Sequence, residues 1–415
     1  ASVNMHLLRI VFTLQTFTAC SAWSTLPSLA VRPKSFSSVH RQLLPKLKAE
    51  TTSSSENEGV STNKEQISLL EKIRGSRAPE LSFLLLLWYA FNAGFNVSNK
   101  RLLNQFNHPW ILSWVQLATG ILFVVPAWLS GARTAPIVDR GLLLKFLPIA
   151  LLHAGGHCSQ VASMGMGTVF FTHVIKAAEP VIGTLVVLLF TGKLAPWYVN
   201  LMLTPIVGGV AYASIKPGTA FDISSLVSTS ALLALVSTFA FAIAKLLAKN
   251  LMTPTMKKDR NLNPANNYAV LTCCSASVLL LPSFIAEGPK ALADLAALGP
   301  ARAGFILEAI GCGMLYYMYN EMGFRVLNLL TPVSAAVCNS AKRVVVLFAA
   351  VVFLGEAVSK KKLIGSTVAI GGVTLYSVAK AVAGRRAKIE KEKKKEEVVI
   401  FKVTEGTDQP GTWQP

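Results

Sequence analysis

Between positions 81 and 382 the chain divides into about ten apolar runs of about 20 residues each, and two of these carry cations near their middles. Lys176 stands in VFFTHVIKAAEPVIGTLVVLLF, and the neighbours Lys342 and Arg343 stand in VSAAVCNSAKRVVVLFAAVVFLG. Such runs are long enough to cross a bilayer, where a cation near mid-depth costs about 3 kcal/mol or more unless it faces a wet cavity or a counter-charge. The expectation is an all-α integral membrane protein whose three inner cations line a polar chamber built for an anion. With 52% hydrophobic and 15% charged residues, and a mean hydropathy of +0.48, the composition excludes a soluble class.

The runs fall near 81–97, 110–129, 142–161, 168–190 and 197–215, then 226–247, 268–286, 303–322, 332–354 and 363–382, with Gly and Pro punctuation between them such as Gly131, Gly192 with Pro196, Lys216-Pro217-Gly218 and Gly299-Pro300. Ten crossings put both termini on one face. The cations lie in the fourth and ninth runs, as two inverted five-helix repeats would place them. Loops on the side of the termini hold Arg133, Arg140, Lys193, Lys257, Lys258, Arg260 and Arg325, which assigns that side to the more interior compartment, although Lys360-Lys361-Lys362 opposes it. Ahead of this ten-helix domain, expected over 80–383, residues 1–22 read as a signal peptide, 23–50 as a basic, Ser-rich transit segment and 51–79 as a polar linker. Residues 384–415 form a charged tail.

Lys176 shares a helix face with His173 and Glu179, so a structural Lys176–Glu179 pair is one reading and an anion site is the other. Lys342 and Arg343 have no acid within a turn, which favours the site. Arg offers a planar fork and Lys a point charge, and three cations less one carboxylate approach the charge of about −1.5 to −2 on a phosphate monoester. His157 and, on the same face, Gln160 are weaker candidates; Tyr316, Tyr317 and Tyr319 read by default as packing aromatics. Glu321 with Arg325 reads as a structural pair, and Lys245 and Lys249 as side chains reaching for the surface.

The net charge of +19 resides in tails and loops rather than on one basic face, so no nucleic-acid partner is expected. The six cysteines lack metal-ligand spacing, and no HExxH, GxSxG or P-loop motif occurs, so neither a metal, a cofactor nor an enzymatic reaction is expected.

HVIKAAEP at 173–180, AKRVVV at 341–346 and GMLYYMYNE at 313–321 resemble the plastid triose-phosphate/phosphate translocators of the drug/metabolite transporter superfamily, over roughly residues 81–380. The resemblance implies counter-exchange of inorganic phosphate with phosphorylated three-carbon sugars or acids, triose phosphate or 3-phosphoglycerate, across the inner plastid envelope. It places the phosphate-binding lysine on Lys176, the lysine–arginine pair on Lys342 and Arg343, and contacts to the carbon moiety on His157 and Tyr319. Cys158-Ser159-Gln160 departs from the family pattern, and the hydroxyl contact passes to Ser159 or Gln160. Carriers of phosphoenolpyruvate, hexose or pentose phosphate, or nucleotide sugar, are the rival readings within transporters; a membrane enzyme acting on a phosphorylated lipid is the remote one. The signal-plus-transit leader resembles the presequences of complex plastids. Oligomeric state is open.

Overall fold

A computed structural model describes residues 78–192, 194–215 and 228–405. The signal, transit and linker segments expected before the ten-helix domain, save its last two residues, and the Lys216-Pro217-Gly218 breaker lie outside the described residues. All regular structure among the described residues is helical. In chain order the helices are α1 (Ala78–Gln105), α2 (Pro109–Leu129), α3 (Arg140–Met166), α4 (Val169–Lys176), α5 (Glu179–Thr191), α6 (Trp197–Leu201), α7 (Thr204–Ser214), α8 (Thr229–Leu251), α9 (Pro254–Asp259), α10 (Pro264–Ala297), α11 (Arg302–Leu329), α12 (Pro332–Leu354) and α13 (Lys360–Glu405).

Seven of these are long and apolar enough to cross a membrane, and α4 with α5, bent by 40° at their junction, make an eighth if taken as one crossing. Three of the expected ten runs differ. The fifth is split into α6 and α7, with Pro205 at the start of the second piece. The eighth, α11, is long but carries Glu308, Glu321 and Arg325, which keep it below the apolar threshold. The fourth run, expected as one span, is broken because Pro180 has no N–H to give to the carbonyl of Lys176; the first piece therefore ends at Lys176 itself. Beyond the expected last span, α13 continues as helix to Glu405 instead of ending near 383.

A repeat register emerges from the helix ends. Thr168 caps α4 by accepting the Phe171 amide at 3.1 Å, and Thr331 caps α12 by accepting the Ser334 amide at 3.3 Å. Gly192 and Gly355 close α5 and α12 in the left-handed conformation, with φ 66° and 64°. Both cap-to-cap intervals are 24 residues, 168 to 192 and 331 to 355. The same offset of 163 carries the last residue of α3, Met166, onto the last residue of α11, Leu329. In this register Glu179 corresponds to Lys342 and Pro180 to Arg343, so α12 runs unbroken where its counterpart bends.

Helix packing follows a matching pattern. α1 lies on α11 as α8 lies on α3; α2 lies on α11 as α10 lies on α3; and α1 meets α12 as α8 meets α4 and α5. α2 with α10, and α7 with α13, pair across the middle. The α7–α13 crossing is close because a Cβ on Gly209 would strike the backbone of Gly365 and Ala369, and one on Gly365 would strike Gly209 and Ala213. Small residues facing each other in this way supply dispersion contact where lipid offers no hydrophobic drive. The main core gathers Phe95, Leu117, Val161, Met164 and Tyr316 from α1, α2, α3 and α11, while long apolar side chains such as Leu122, Leu281 and Leu307 remain exposed on the outside.

Candidate functional site

The break at Ala177-Ala178 and the unbroken α12 bring the inner charges together. Glu179, first residue of α5, accepts Arg343 Nη2 at 2.6 Å through one carboxylate oxygen and pairs with Lys245 of α8 through the other. The Lys176–Glu179 pair open to the sequence is not among the ion pairs; Lys176 instead donates to Gln160 Oε1 on α3 and to Ser237 Oγ on α8 at 3.2 Å. Lys245, expected to reach the surface, turns to Glu179 because that carboxylate stands within its reach at the helix break. Lys176 and Lys342 each lie within electrostatic range of Glu179, Arg343 and Lys245, so four cations from three segments neighbour one carboxylate.

Lys176 and Lys342, both half-buried, each rest on an aromatic face. Lys176 Nζ lies 4.8 Å from the Phe241 ring of α8, and Lys342 Nζ lies 4.7 Å from the Trp88 ring of α1. The ring quadrupole compensates part of the lost hydration without taking up an ammonium hydrogen in a conventional hydrogen bond. The two rings come from α8 and α1, which pack in like manner on α3 and α11.

His157 and Gln160 share the inner face of α3. His157 is 1% exposed, stacks on Tyr316 at 4.1 Å and bonds through Nε2 to Gln116 Oε1 at 3.0 Å. Gln116 in turn donates to Asn99 Oδ1 at 2.7 Å. With the Gln116 amide nitrogen committed to Asn99, His157 Nε2 carries the proton, and Nδ1 is a buried acceptor without a partner. Tyr319 is half-buried and packs on Phe95 and Tyr316, both 5.5 Å away. Ser159 lies on another side of α3 from His157 and Gln160, outside this contact set. Thus Lys176, Gln160, Arg343, Lys342 and Glu179 are gathered, His157 and Tyr319 stand beside one another through Tyr316 and Phe95, and Ser159 stands apart.

Several members escaped the sequence reading. Asn92, Asn96 and Asn99 form a buried polar stripe on α1; Asn96 Oδ1 meets His173 Nε2 at 2.8 Å, so His173 is held by α1 and is not part of the charge cluster's hydrogen bonding. Their spacing of four and three was a signal available in the sequence, whereas Ser237, Phe241 and Trp88 carried none. Arg133, read only as a loop charge, forms a bidentate pair with Glu321 at 2.7 and 3.1 Å, so Glu321 holds two arginines, Arg133 and its expected partner Arg325, together with the Tyr317 hydroxyl. Among the described residues, no group of three or more His, Cys, Asp or Glu is placed to hold a metal ion.

The chain was compared with known proteins. The profile of the Triose-phosphate Transporter family matches residues 79–377. A chloroplastic triose phosphate/phosphate translocator of Brassica oleracea var. botrytis is 33% identical over 316 residues, covering 75% of this chain and 72% of its own. The pea (Pisum sativum) translocator of the same description is 31% identical, covering 77% of this chain and 76% of its own. A chloroplastic glucose-6-phosphate/phosphate translocator of Arabidopsis thaliana is 31% identical, covering 71% and 73%. Among solved structures, one chain overlaps at a TM-score of 0.38 with 14% identity, covering 74% of this chain and 98% of its own.

Proposed function

Because the chain belongs to the Triose-phosphate Transporter family, a family of transporters and not of enzymes, we propose that it is a plastid antiporter exchanging inorganic phosphate for triose phosphate or 3-phosphoglycerate. The observation that carries this reading is the gathering of Lys176, Lys245, Lys342 and Arg343 about one carboxylate, Glu179, which pairs directly with Lys245 and Arg343. Four cations against one carboxylate leave a positive surplus larger than the charge of a phosphate dianion, so a bound phosphate removes most of it, with the Arg343 fork and the two ring-supported lysines as its donors. Gln160 keeps Lys176 aimed, and His157 and Tyr319 stand where the carbon moiety of an ester would extend. Ser159 is the least supported of the contacts carried over from the family.

The architecture we assign is ten helices in two inverted five-helix repeats, supported by the common register of α3–α5 and α11–α12 and by the matched packing pairs. The transporter domain occupies 80–383, preceded by the signal, transit and linker segments over 1–22, 23–50 and 51–79 and followed by the charged segment 384–415. The protein would reside in a plastid membrane, the inner envelope of a complex plastid. The halves rock about the site, which opens to one face at a time. Closing it empty would strip water from uncompensated cations, so closure requires an anion, and transport is obligatory exchange.

The test is uptake of labelled phosphate into liposomes preloaded with phosphate, with each candidate ester, or with neither. Uptake only into the loaded vesicles is the expected result; comparable uptake into empty vesicles overturns obligatory exchange. The relatives that carry glucose 6-phosphate support a second reading, hexose phosphate as the counter-substrate, and glucose 6-phosphate drawing phosphate in faster than the three-carbon esters would establish it.

A further inference from the structure

Glu356 does something that neither the charge cluster nor the fold requires of it. It follows Gly355, whose left-handed φ of 64° turns the chain at the end of α12. The turn aims the Glu356 carboxylate at the start of α4, where its two oxygens accept the Val169 amide at 2.7 Å and the Phe170 amide at 2.8 Å. Thr168 already takes the Phe171 amide, so Glu356 completes a helix cap from a different segment of the chain. The two segments joined are those that carry Lys176 and Lys342-Arg343.

The surroundings are braced in the same sense. Lys100 of α1 donates to the carbonyls of Met164 and Gly167 at 2.8 and 2.7 Å, the other side of the α3–α4 turn. Lys100 and Glu356 attract one another. Directly inward, Ser163 meets Thr172 at 2.9 Å and the carbonyl of Ser230 on α8 at 2.8 Å, and Thr172, one turn before Lys176, is wholly buried. At the cluster itself the side chains of Lys245 and Glu179 are 68% and 33% exposed. The end where α3 meets α4 is therefore closed by hydrogen bonds, whereas side chains of the charge cluster remain exposed.

We propose that Glu356 is the latch of this closed end: its carboxylate ties α12 to the N-terminus of α4, and the site opens on the α3–α4 side only when those two amides are released. This rests on the alternating-access reading above. The latch is one-sided, since the position equivalent to Glu356 in the repeat register is Lys193 in the sequence, a residue that cannot accept from amides.

The test uses the full chain in liposomes with Thr172→Cys as a buried reporter, labelled by a membrane-impermeant maleimide and read at residue 172 by peptide mass. Replacing Glu356 by Ala should speed labelling about tenfold or more, as expected for the loss of charge-assisted hydrogen bonds, and Glu356→Gln, which keeps one capping oxygen, should fall between. If Glu356→Ala does not yield folded protein, Glu356→Gln decides by the same criterion. Labelling rates within about twofold of the parent reporter protein in the folded variants overturn the latch. Unchanged labelling with phosphate exchange intact removes the latch alone, whereas latch-dependent labelling in a reporter protein that shows no counter-exchange removes the exchange reading alone.

Discussion

Glu179 is the residue on which the charge cluster turns, since it holds Arg343 and Lys245 at once and thereby takes one arm of the fork that an incoming anion needs. It acts as a tethered competitor. Replacing it with Gln should lower the phosphate concentration for half-maximal exchange several-fold and reduce maximal exchange, because guests bind more tightly and leave more slowly; a higher half-saturation would contradict this. Arg343→Lys keeps the charge but loses the planar fork, and exchange at limiting phosphate should fall by about tenfold or more. The three cations were legible in the sequence because a charge inside an apolar run has few bland explanations. Their partners were not: Glu179 lies 164 positions from Arg343, and no local pattern ties Lys176 to Ser237 or Lys342 to Trp88. The pairing of Lys245 was hidden for the same reason, its counter-charge being remote in sequence, although its side chain stays exposed as expected.

At the level of single elements, the α7–α13 crossing has no room for a side chain at Gly209 or Gly365. Either changed to Leu should cost about 1–3 kcal/mol, seen as a lower thermal midpoint in detergent, while Leu at Gly183, which has nothing within 4 Å of its added Cβ, should be tolerated far better. Outside the spans, Asp139 caps α3 through the Leu142 amide at 2.7 Å and pairs with Arg260, which holds its carboxyl below the usual range. A depressed folded-state pKa means the stabilising contribution is complete above the ordinary carboxylate value and is lost as pH falls through the lowered one. Melting followed between neutral and acid pH should therefore lose less in Asp139→Asn than in the parent. Apolar length located the runs, but it missed the bend after Lys176 because Pro180 sits midway through a run, 168–190, that hydropathy reads as continuous, and in α11 it could not show that the buried Glu321 is balanced by the remote Arg133 as well as by its neighbour Arg325.

Across the whole molecule, the matched packing pairs make a prediction about motion. Spin labels at Gln105 and Thr229, at the ends of α1 and α8 on the latched side, should move apart when labels at Lys249 and Leu329, on the opposite side, move together, and the two distances should be anticorrelated as phosphate is added. Movement of both pairs in the same direction would argue against rocking of the halves. The proposed duplication starts from cations in the fourth and ninth runs, but the register we assign to it comes from the caps, because Glu179 then faces Lys342 and Pro180 faces Arg343, and no similarity of residue type survives there. That single substitution of an imino acid for a guanidinium leaves one arm hinged and the other stiff. An exchanger built on unlike arms is not its own mirror image: the route inward and the route outward cross different barriers, so its affinities measured from the two compartments should differ even when the same ester is offered on both sides.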